Sequence, residues 1–235
     1  MQNIEGKLFA FSYGVSECPA HLVFAGDQSG KTVTMPWSYF LLRTSGENIL
    51  IDCGFSDPEH AAQFGIRLVP DPVGMIAAAG IAPKDVDTII VTHHHFDHTG
   101  NLPHFPQARI IIQQDDYEPY RKECPDHPEI SPERLTKFDR EFSYAGLRLK
   151  HVGGHTPGSI EITFRHDGKT FVITGDECYM RRNFEQRCPI GYAQFPEVNR
   201  AYIKQMPDDI VLLPFHDPAI FNLYPKVADN VVGIF

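Results

Sequence analysis

The sequence predicts an α/β protein built of layers. Strand-like runs of apolar and β-branched residues dominate the chain, and helix-like segments fall between groups of these runs. With 235 residues, of which 42% are hydrophobic and 22% charged, the chain is long enough to bury a sizeable core. No low-complexity stretch or long linker divides it. We therefore expect a single domain over residues 1–235.

The first half of the chain predicts a group of strands, a helix and two further strands. Four strand-like runs come first, KLFAFSY, HLVFAG, SYFLLRT and NILIDC. Residues 71–80 follow with a helical pattern, in which Pro72 suits the first turn. The runs VDTIIVT and ARIIIQQ then predict two strands with a histidine-rich segment between them.

The second half predicts a helix, a hairpin and a final helix–strand pair. The helix DDYEPYRKE contains Pro119, which predicts that it is short or kinked. The strand LRLKHV precedes the hairpin SIEITFRHDGKTFVIT, for which Asp167 and Gly168 are a good turn signal. A helix near residues 197–206, the strand DIVLLPF and a loop-rich tail complete the chain.

The stretch VTHHHFDHTGN places four histidines and an aspartate directly after an apolar strand. Side chains alternate sides in an extended segment, so His93, His95 and Asp97 are expected to face one way and His94 the other. A turn after Asp97 would bring His98 round to the same side as the first three. The stretch therefore predicts a set of metal ligands that excludes His94.

Three further residues of ligand type follow strands or lie in a glycine-rich turn. His155 lies in VGGHTPGS, Asp176 follows the strand in FVITGDECY, and His216 follows the strand in VLLPFHDP. Because the strands of a sheet end along one edge, we expect these side chains to meet the histidine cluster. Five imidazoles and two carboxylates suit two divalent transition ions with open positions better than one closed structural site.

The motifs HHHFDH, GGHTPGS, TGD and PFHDP, in this order, resemble the metallo-β-lactamase superfamily over roughly residues 36–217. The resemblance implies a four-layer αβ/βα sandwich with a metal centre at one edge of a sheet. The residues it implies as ligands are His93, His95 and His155 for one ion, Asp97, His98 and His216 for the second, and Asp176 bridging both.

Within that superfamily the chain is most similar to the N-acyl-homoserine lactonase group. MPWSYFLLRTSGENILIDCG looks like that group's N-terminal strand pair, and DECYMRRNFE places a tyrosine three residues after the bridging aspartate. The resemblance implies that Tyr179 contacts the substrate carbonyl while a metal-bridging hydroxide opens a small lactone. Asp97 is the candidate that passes a proton to the leaving group. The segment GGHTPGS departs from the group's more frequent TPGHSPGH form.

The resemblance also implies the cofactors and the partner. Two divalent metal ions are expected, zinc first, although manganese, iron and cobalt accept the same ligands. The expected partner is a small lactone or ester, and both a monomer and a homodimer remain open. The net charge of −9 argues against a nucleic-acid partner. No apolar run approaches the roughly 18 residues of a membrane helix.

The compartment predicted for the chain is the cytoplasm. The N-terminal sequence MQNIEGKLFAF lacks the pattern of a signal peptide. Five cysteines are an odd number and form no C-x-x-C pair, which favours a reducing compartment over a disulfide framework.

Other activities that use the same motifs stay open. A glyoxalase II-like thioester hydrolase, or a hydrolase of another cyclic ester or amide, is the main alternative. An iron-dependent dioxygenase is another, and so is a diiron oxygen reductase, although the latter usually replaces a motif histidine with glutamate and His95 is intact. A nuclease is disfavoured by the acidic charge balance and the absence of a basic stretch. A non-catalytic binding module is the last alternative.

Several residues near the motifs have two interpretations each. Cys178 is either a small buried hydrophobic residue or a thiolate close to the metals. Asp52 is expected in a turn under the site, where it could orient a ligand histidine. Met35, Trp37 and Phe64 either line an apolar pocket or pack in the core. The remaining histidines considered, His94, His104, His127 and His151, are expected to be solvated or structural.

Overall fold

The computed structural model of the protein describes residues 3–235. Met1 and Gln2, which begin the stretch inspected for a signal peptide, lie outside this range. The strands within it are β1 Lys7–Pro19, β2 Thr32–Arg43, β3 Asn48–Ile51, β4 Arg67–Leu68, β5 Thr88–Ile90, β6 Arg109–Gln113, β7 Leu135–Phe138, β8 Glu141–Tyr144, β9 Leu147–His151, β10 Ile160–His166, β11 Lys169–Ile173, β12 Ile210–Leu213, β13 Lys226–Ala228 and β14 Val231–Gly233.

Helices cover the outer faces and several of the connections. Four short 3₁₀ helices span Gly74–Ala79, Pro83–Asp85, Leu102–His104 and Gly175–Glu177 in the described part of the chain. The α-helices are α1 Ala20–Val23, α2 Pro58–Gln63, α3 Phe96–Thr99, α4 Gln114–Glu123, α5 Arg181–Glu185, α6 Pro196–Gln205 and α7 Ile220–Leu223.

The strands form two sheets. The nine-stranded sheet has the order β13-β14-β1-β2-β3-β5-β6-β7, with β4 paired to β1. The five-stranded sheet has the order β12-β11-β10-β9-β8. Strands β3, β5, β6 and β7 run parallel to one another, and so do β11 and β12. Ligand-bearing segments that follow these parallel strands can therefore meet at one edge.

The hydrophobic clusters define four layers. Phe40 of β2 packs with Ile162 of β10 in the core between the two sheets. Its neighbour Leu41 points to the other face and packs in a cluster that includes Tyr120 of α4. On the outer face of the five-stranded sheet, Ile203 of α6 packs with a residue of β12. The arrangement is the predicted αβ/βα sandwich, which is confirmed.

One sequence-based prediction of local structure is wrong, and the failure has a physical cause. The run HLVFAG forms α1 instead of a strand, because Ala20, Val23 and Phe24 bury one face at helical spacing. The helix predicted within residues 71–80 is present as a 3₁₀ helix of six residues, Gly74–Ala79, which ends at Gly80 with φ +77°. The turn predicted at Asp167 and Gly168 is confirmed, with both residues at positive φ. Pro119 lies inside α4 without shortening it.

Among residues 3–235, no helix combines the length and the apolar character that crossing a membrane requires.

Candidate metal centre

All seven predicted ligands meet where strands of both sheets end. The histidine-rich segment follows β5, Asp176 follows β11, His216 follows β12, and His155 lies in the loop between β9 and β10. Their donor atoms form two groups, within each of which the atoms lie no more than 4.8 Å apart. The groups are His93, His95, His155 and Asp176, called the first group here, and Asp97, His98, Asp176 and His216, called the second group.

Asp176 belongs to both groups because its two carboxylate oxygens point to different neighbours. Oδ2 lies 3.7 Å from Nε2 of His93 and 3.5 Å from Nε2 of His155. Oδ1 lies 3.3 Å from Nε2 of His98 and 3.1 Å from Nε2 of His216. A carboxylate with one oxygen in each group has the geometry of a bridging ligand.

Three histidines of the two groups are oriented by a contact of the ring nitrogen that faces away from the centre. Nδ1 of His98 lies 2.6 Å from Oδ2 of Asp52, the residue expected under the site. Nδ1 of His216 donates to the backbone oxygen of Pro36 at 2.9 Å, and Nδ1 of His155 to that of Tyr192 at 3.1 Å. Such contacts fix the tautomer and leave the inward Nε2 lone pair free for a metal.

The polar atoms at the middle of the centre fit a pair of cations. Nε2 of His98, Nε2 of His216 and Oδ1 of Asp176 are buried, yet none has a hydrogen-bond partner of acceptable geometry within residues 3–235. Buried polar atoms without partners are costly and uncommon in folded proteins. Cations between the imidazoles and the carboxylates would satisfy these atoms, so the donor set and its burial both suit divalent metal ions.

Burial and neighbouring charges set the protonation of the centre. Burial lowers the pKa of His93 well below its usual range and that of His155 to about 4, so both rings are neutral near pH 7. Burial also lowers the pKa of His98, but the surrounding carboxylates outweigh it and raise that pKa well above its usual range. Burial raises the pKa of Asp176, but His216 and other nearby histidines outweigh this effect. They hold the pKa well below its usual range, so the carboxylate stays ionised.

The backbone of the histidine-rich segment differs from the predicted one. The chain turns into α3 at Phe96, before Asp97 and not after it, so Asp97 and His98 reach the centre from the first turn of a helix. His94 is outside both ligand groups, as predicted. Its ring is buried between two acidic residues of α4, with Nδ1 3.2 Å from Asp116 and Nε2 3.6 Å from Glu123.

Tyr179 is buried beside the first group. Its hydroxyl lies 3.4 Å from Nδ1 of His155 and 3.4 Å from the backbone oxygen of Tyr192. Burial raises the pKa of Tyr179 well above its usual range, so the phenol keeps its proton. Cys178, by contrast, is in neither ligand group and packs with Ile203 and other apolar residues, which agrees with its interpretation as a buried hydrophobic residue.

A cavity of about 740 Å³ opens onto the centre. Its volume lies within the range of small-molecule sites. Met35, Trp37 and Phe64 all line it, and Met35 and Trp37 also pack against the apolar clusters. Its remaining lining includes the ligand residues His95, His155, Asp97, Asp176 and His216, together with Tyr179, Leu22, Val23, Phe96 and Tyr192.

Asp116, Glu177 and Tyr192 surround the centre but are not predicted from the sequence. Asp116 precedes Tyr120 by four residues, so the helical spacing of α4 could have placed both on its buried face. Glu177 carries no comparable signal, because its complete burial is seen only in the folded structure. Tyr192 has no such signal, because only the folded loop brings its ring to 5.9 Å from that of His155.

Comparison with known proteins agrees with this geometry. The sequence model of the metallo-β-lactamase superfamily matches residues 32–216, which is more than half of the chain. The chain belongs to the metallo-β-lactamase superfamily. Among curated members, the N-acyl homoserine lactonase of Bacillus thuringiensis is 30% identical over 204 residues, covering 75% of this chain and 77% of that protein.

Solved structures of other proteins share the fold. An N-acyl homoserine lactone hydrolase with the product N-hexanoyl-L-homoserine bound at its catalytic metal centre superposes with a TM-score of 0.79 at 22% identity, covering 98% of this chain and 100% of that one. AidC, a dizinc quorum-quenching lactonase in complex with a product, superposes with a TM-score of 0.71 at 19% identity, covering 93% and 90%. At these identities the likeness shows the fold alone.

Proposed function

We propose that the protein is a dinuclear metal-dependent hydrolase that opens N-acyl homoserine lactones. The observation that carries the proposal is a pair of ligand groups that share Asp176 and open onto a cavity lined by Tyr179 and apolar side chains. The names of the relatives support the same activity, because a curated lactonase is 30% identical to the chain.

The seven converging residues are the proposed ligands. His93, His95 and His155 would hold the first ion; Asp97, His98 and His216 would hold the second, and Asp176 would bridge them. Zinc is the proposed metal, which the dizinc structural relative supports, and manganese, iron and cobalt suit the same donors. When bound, two such ions supply Lewis acidity and make hydroxide available near neutral pH.

Tyr179 is proposed to donate a hydrogen bond to the substrate carbonyl. Its hydroxyl makes only long contacts of 3.4 Å with residues 3–235, so its proton is available to a better acceptor in the cavity. An oxyanion that develops on the carbonyl during attack would strengthen that hydrogen bond, which is the condition for catalysis instead of mere binding.

Asp97 is proposed to carry a proton to the leaving group. Its Oδ2 lies 3.0 Å from Nε2 of His98, and its carboxylate lines the cavity. When hydroxide adds to the carbonyl carbon and the ring C–O bond breaks, the departing alkoxide needs one proton. The hydrogen of the attacking hydroxide, passed through an Asp97 oxygen, would supply that proton and leave the open-chain hydroxy acid as its carboxylate.

The walls of the cavity suit a substrate with an apolar chain. Phe64 and Phe96 stack with a centroid distance of 5.1 Å, and Phe96 also stacks on His60 at 4.6 Å. A second apolar group, which includes Val23 and Met35, packs with Tyr179. An acyl chain could bury its surface against either group while the lactone ring lies at the centre.

The cytoplasm is the proposed location. All five cysteines are free thiols, three of them buried, which suits a reducing compartment.

The test is a substrate panel on protein of measured metal content. N-hexanoyl homoserine lactone, an S-acyl thioester and a β-lactam would be assayed with the same preparation, and kcat/KM compared. We expect kcat/KM for the lactone to exceed that for the other two by at least about tenfold, the equivalent of about 1.4 kcal/mol in transition-state stabilisation. A preference for the thioester or the β-lactam would replace the proposed substrate with that class.

A further inference from the structure

Two buried carboxylates that no step of the proposed reaction uses lie on either side of the loop that carries His155. Asp116 belongs to α4 and is fully buried. Glu177 directly follows the shared ligand Asp176 and is also fully buried. Neither residue is in a ligand group. Buried acids are rare unless a specific set of donors satisfies them, and both of these have such a set.

Glu177 holds the His155 loop to the segment that carries Asp176. Its Oε1 accepts hydrogen bonds from the backbone nitrogens of Gly154 and His155, both at 2.8 Å. The same oxygen accepts from the hydroxyl of Ser159 at 2.5 Å. Its other oxygen, Oε2, accepts from Nδ2 of Asn199 at 2.8 Å. The position of His155 relative to Asp176 is therefore set through one side chain.

Asp116 holds the other end of the same loop to the histidine-rich segment. Its Oδ1 accepts from the backbone nitrogen of Gly158 at 2.6 Å. Its Oδ2 accepts from the hydroxyl of Thr156 at 2.7 Å and from the backbone nitrogen of His94 at 2.9 Å. Because His94 lies between His93 and His95, Asp116 sets the loop's position relative to two ligands of the first group.

Two glycines of the loop make this close approach possible. A Cβ on Gly154 would lie 2.5 Å from Oε2 of Glu177, and a Cβ on Gly158 would lie 2.6 Å from the backbone nitrogen of Asp116. Both distances are inside those of real Cβ contacts. The glycines of GGHTPGS therefore let the backbone approach both carboxylates closely. The hydroxyls of its threonine and serine donate further hydrogen bonds, Thr156 to Asp116 and Ser159 to Glu177.

We infer that Asp116 and Glu177 are positioning residues that hold His155 in register with His93, His95 and Asp176. The inference rests on the proposed metal ligands. The four residues of the first group come from three separate segments, and the two carboxylates join all three. Within the described residues, neither carboxylate accepts a hydrogen bond from a residue of the second group.

The isosteric variants Glu177→Gln and Asp116→Asn test this inference. In Glu177→Gln the side-chain amide cannot accept all of the hydrogen bonds that the carboxylate accepts. Its NH₂ group would face another donor, either Nδ2 of Asn199 or the three donors that contact Oε1. Asn199 cannot rotate its amide to offer an acceptor instead without losing a hydrogen bond, since its Oδ1 accepts from the backbone nitrogen of Ile190 at 3.1 Å. Glu47→Gln is the matched control, because Glu47 accepts from Thr88 and Tyr144 and touches neither ligand group.

The measurement is a calorimetric titration of chelator-treated protein with zinc, with thermal unfolding of the metal-free protein recorded alongside. We expect both variants to bind one zinc ion as the parent does and the other about 10- to 100-fold more weakly. Glu47→Gln should bind both ions normally. His155→Ala and His216→Ala identify the affected group, since the weakened ion should match the one that His155→Ala loses. Ser159→Ala, a milder change, should shift binding in the same direction by less.

Two results would overturn the inference. One is normal binding of both ions in Glu177→Gln and Asp116→Asn; the other is equal weakening of both ions in step with a lower unfolding temperature. If the two isosteric variants fail to fold, unchanged zinc binding in Ser159→Ala would overturn the inference instead. Lactone turnover by the parent protein is scored separately. A parent that binds two ions but opens no lactone would refute the proposed substrate and leave the positioning role intact.

Discussion

The Nδ1 atom of His98 and the Oδ2 atom of Asp52 lie 2.6 Å apart, although the two residues are separated by 46 positions in the chain. Asp52 is itself held by Thr92, whose backbone nitrogen and hydroxyl donate to its two oxygens at 2.7 and 2.6 Å. The end of β3 and the segment after β5 are thereby joined underneath the metal centre. Asp52 adopts φ +59°, an uncommon backbone conformation that aims its carboxylate at this contact.

Replacing Asp52 by asparagine should weaken metal binding. The amide would present its NH₂ group either to Thr92 or to His98, so one donor would lose its acceptor. Loss of a partner that orients a metal-binding histidine typically costs about 10- to 100-fold in metal affinity or activity. Zinc affinity by competition with a chromophoric chelator checks this, with Asp57→Asn, at the exposed cap of α2, as the control. Unchanged affinity in Asp52→Asn would mean that His98 needs no such partner.

Tyr179→Phe should lower kcat/KM for lactones without changing metal content. The substitution keeps the ring and removes one donor to the developing oxyanion. Removal of such a donor costs about 10²–10³ in rate at its strongest, and the lower end is expected here because a metal ion shares the role. Tyr144→Phe, remote from the cavity, is the control. Parent-like lactone kinetics in fully metallated Tyr179→Phe would remove Tyr179 from the mechanism.

Replacing Asp176 by alanine should disturb the binding of both ions, whereas His155→Ala should disturb one. The difference follows from the two oxygens of Asp176, which face different ligand groups. Elemental analysis of protein purified without chelator gives the metal content of each variant. Retention of one tightly bound ion by Asp176→Ala, at the level of His155→Ala, would contradict a bridging role.

His94→Ala should leave the metal stoichiometry nearly unchanged. The ring of His94 points to Asp116 and Glu123, and the hydrogen bond that Asp116 accepts from this residue comes from the backbone nitrogen, which alanine retains. Its immediate neighbours His93 and His95 are the matched comparisons, and each should lose an ion on substitution by alanine. Loss of an ion in His94→Ala would show that the assigned ligand set is wrong.

Trp37 should report the occupancy of the second group. It is the only tryptophan in the sequence, and its ring packs edge-on against that of His216 with a centroid distance of 5.1 Å. Zinc added to chelator-treated protein should therefore change the tryptophan emission, and should still do so in His155→Ala. In His216→Ala the response should be largely lost. An equal response in both variants would show that Trp37 does not sense the second group.

The sequence predicts which residues converge at the candidate centre because their spacing follows from strand geometry. His93 and His95 lie two positions apart at the end of β5, and Asp176 and His216 each lie three positions after a strand of the other sheet. Asp52 could be suspected from its turn sequence, but its pairing with His98 depends on how β3 and β5 lie side by side. Periodicity carries no information about such a contact.

The errors and omissions in the sequence-based account come from tertiary contacts. HLVFAG looks like a strand locally, yet it forms a helical turn because its buried residues pack near Tyr179 and Met180. Asp116 and Glu177 look like ordinary surface acids until the loop around His155 supplies their donors. Residues that position a ligand are harder to predict than the ligand itself, because their partners are distant in sequence.

The most direct test of the central claim is lactone hydrolysis measured as a function of bound zinc. Chelator-treated protein would be titrated with zinc, and metal content and the rate of N-hexanoyl homoserine lactone opening would be measured on each sample. A dinuclear lactonase should bind two zinc ions per chain, with turnover absent in the metal-free protein and rising as the two ligand groups fill. Protein that carries two ions per chain and still leaves the lactone ring closed, or that opens it equally well without metal, would contradict the account.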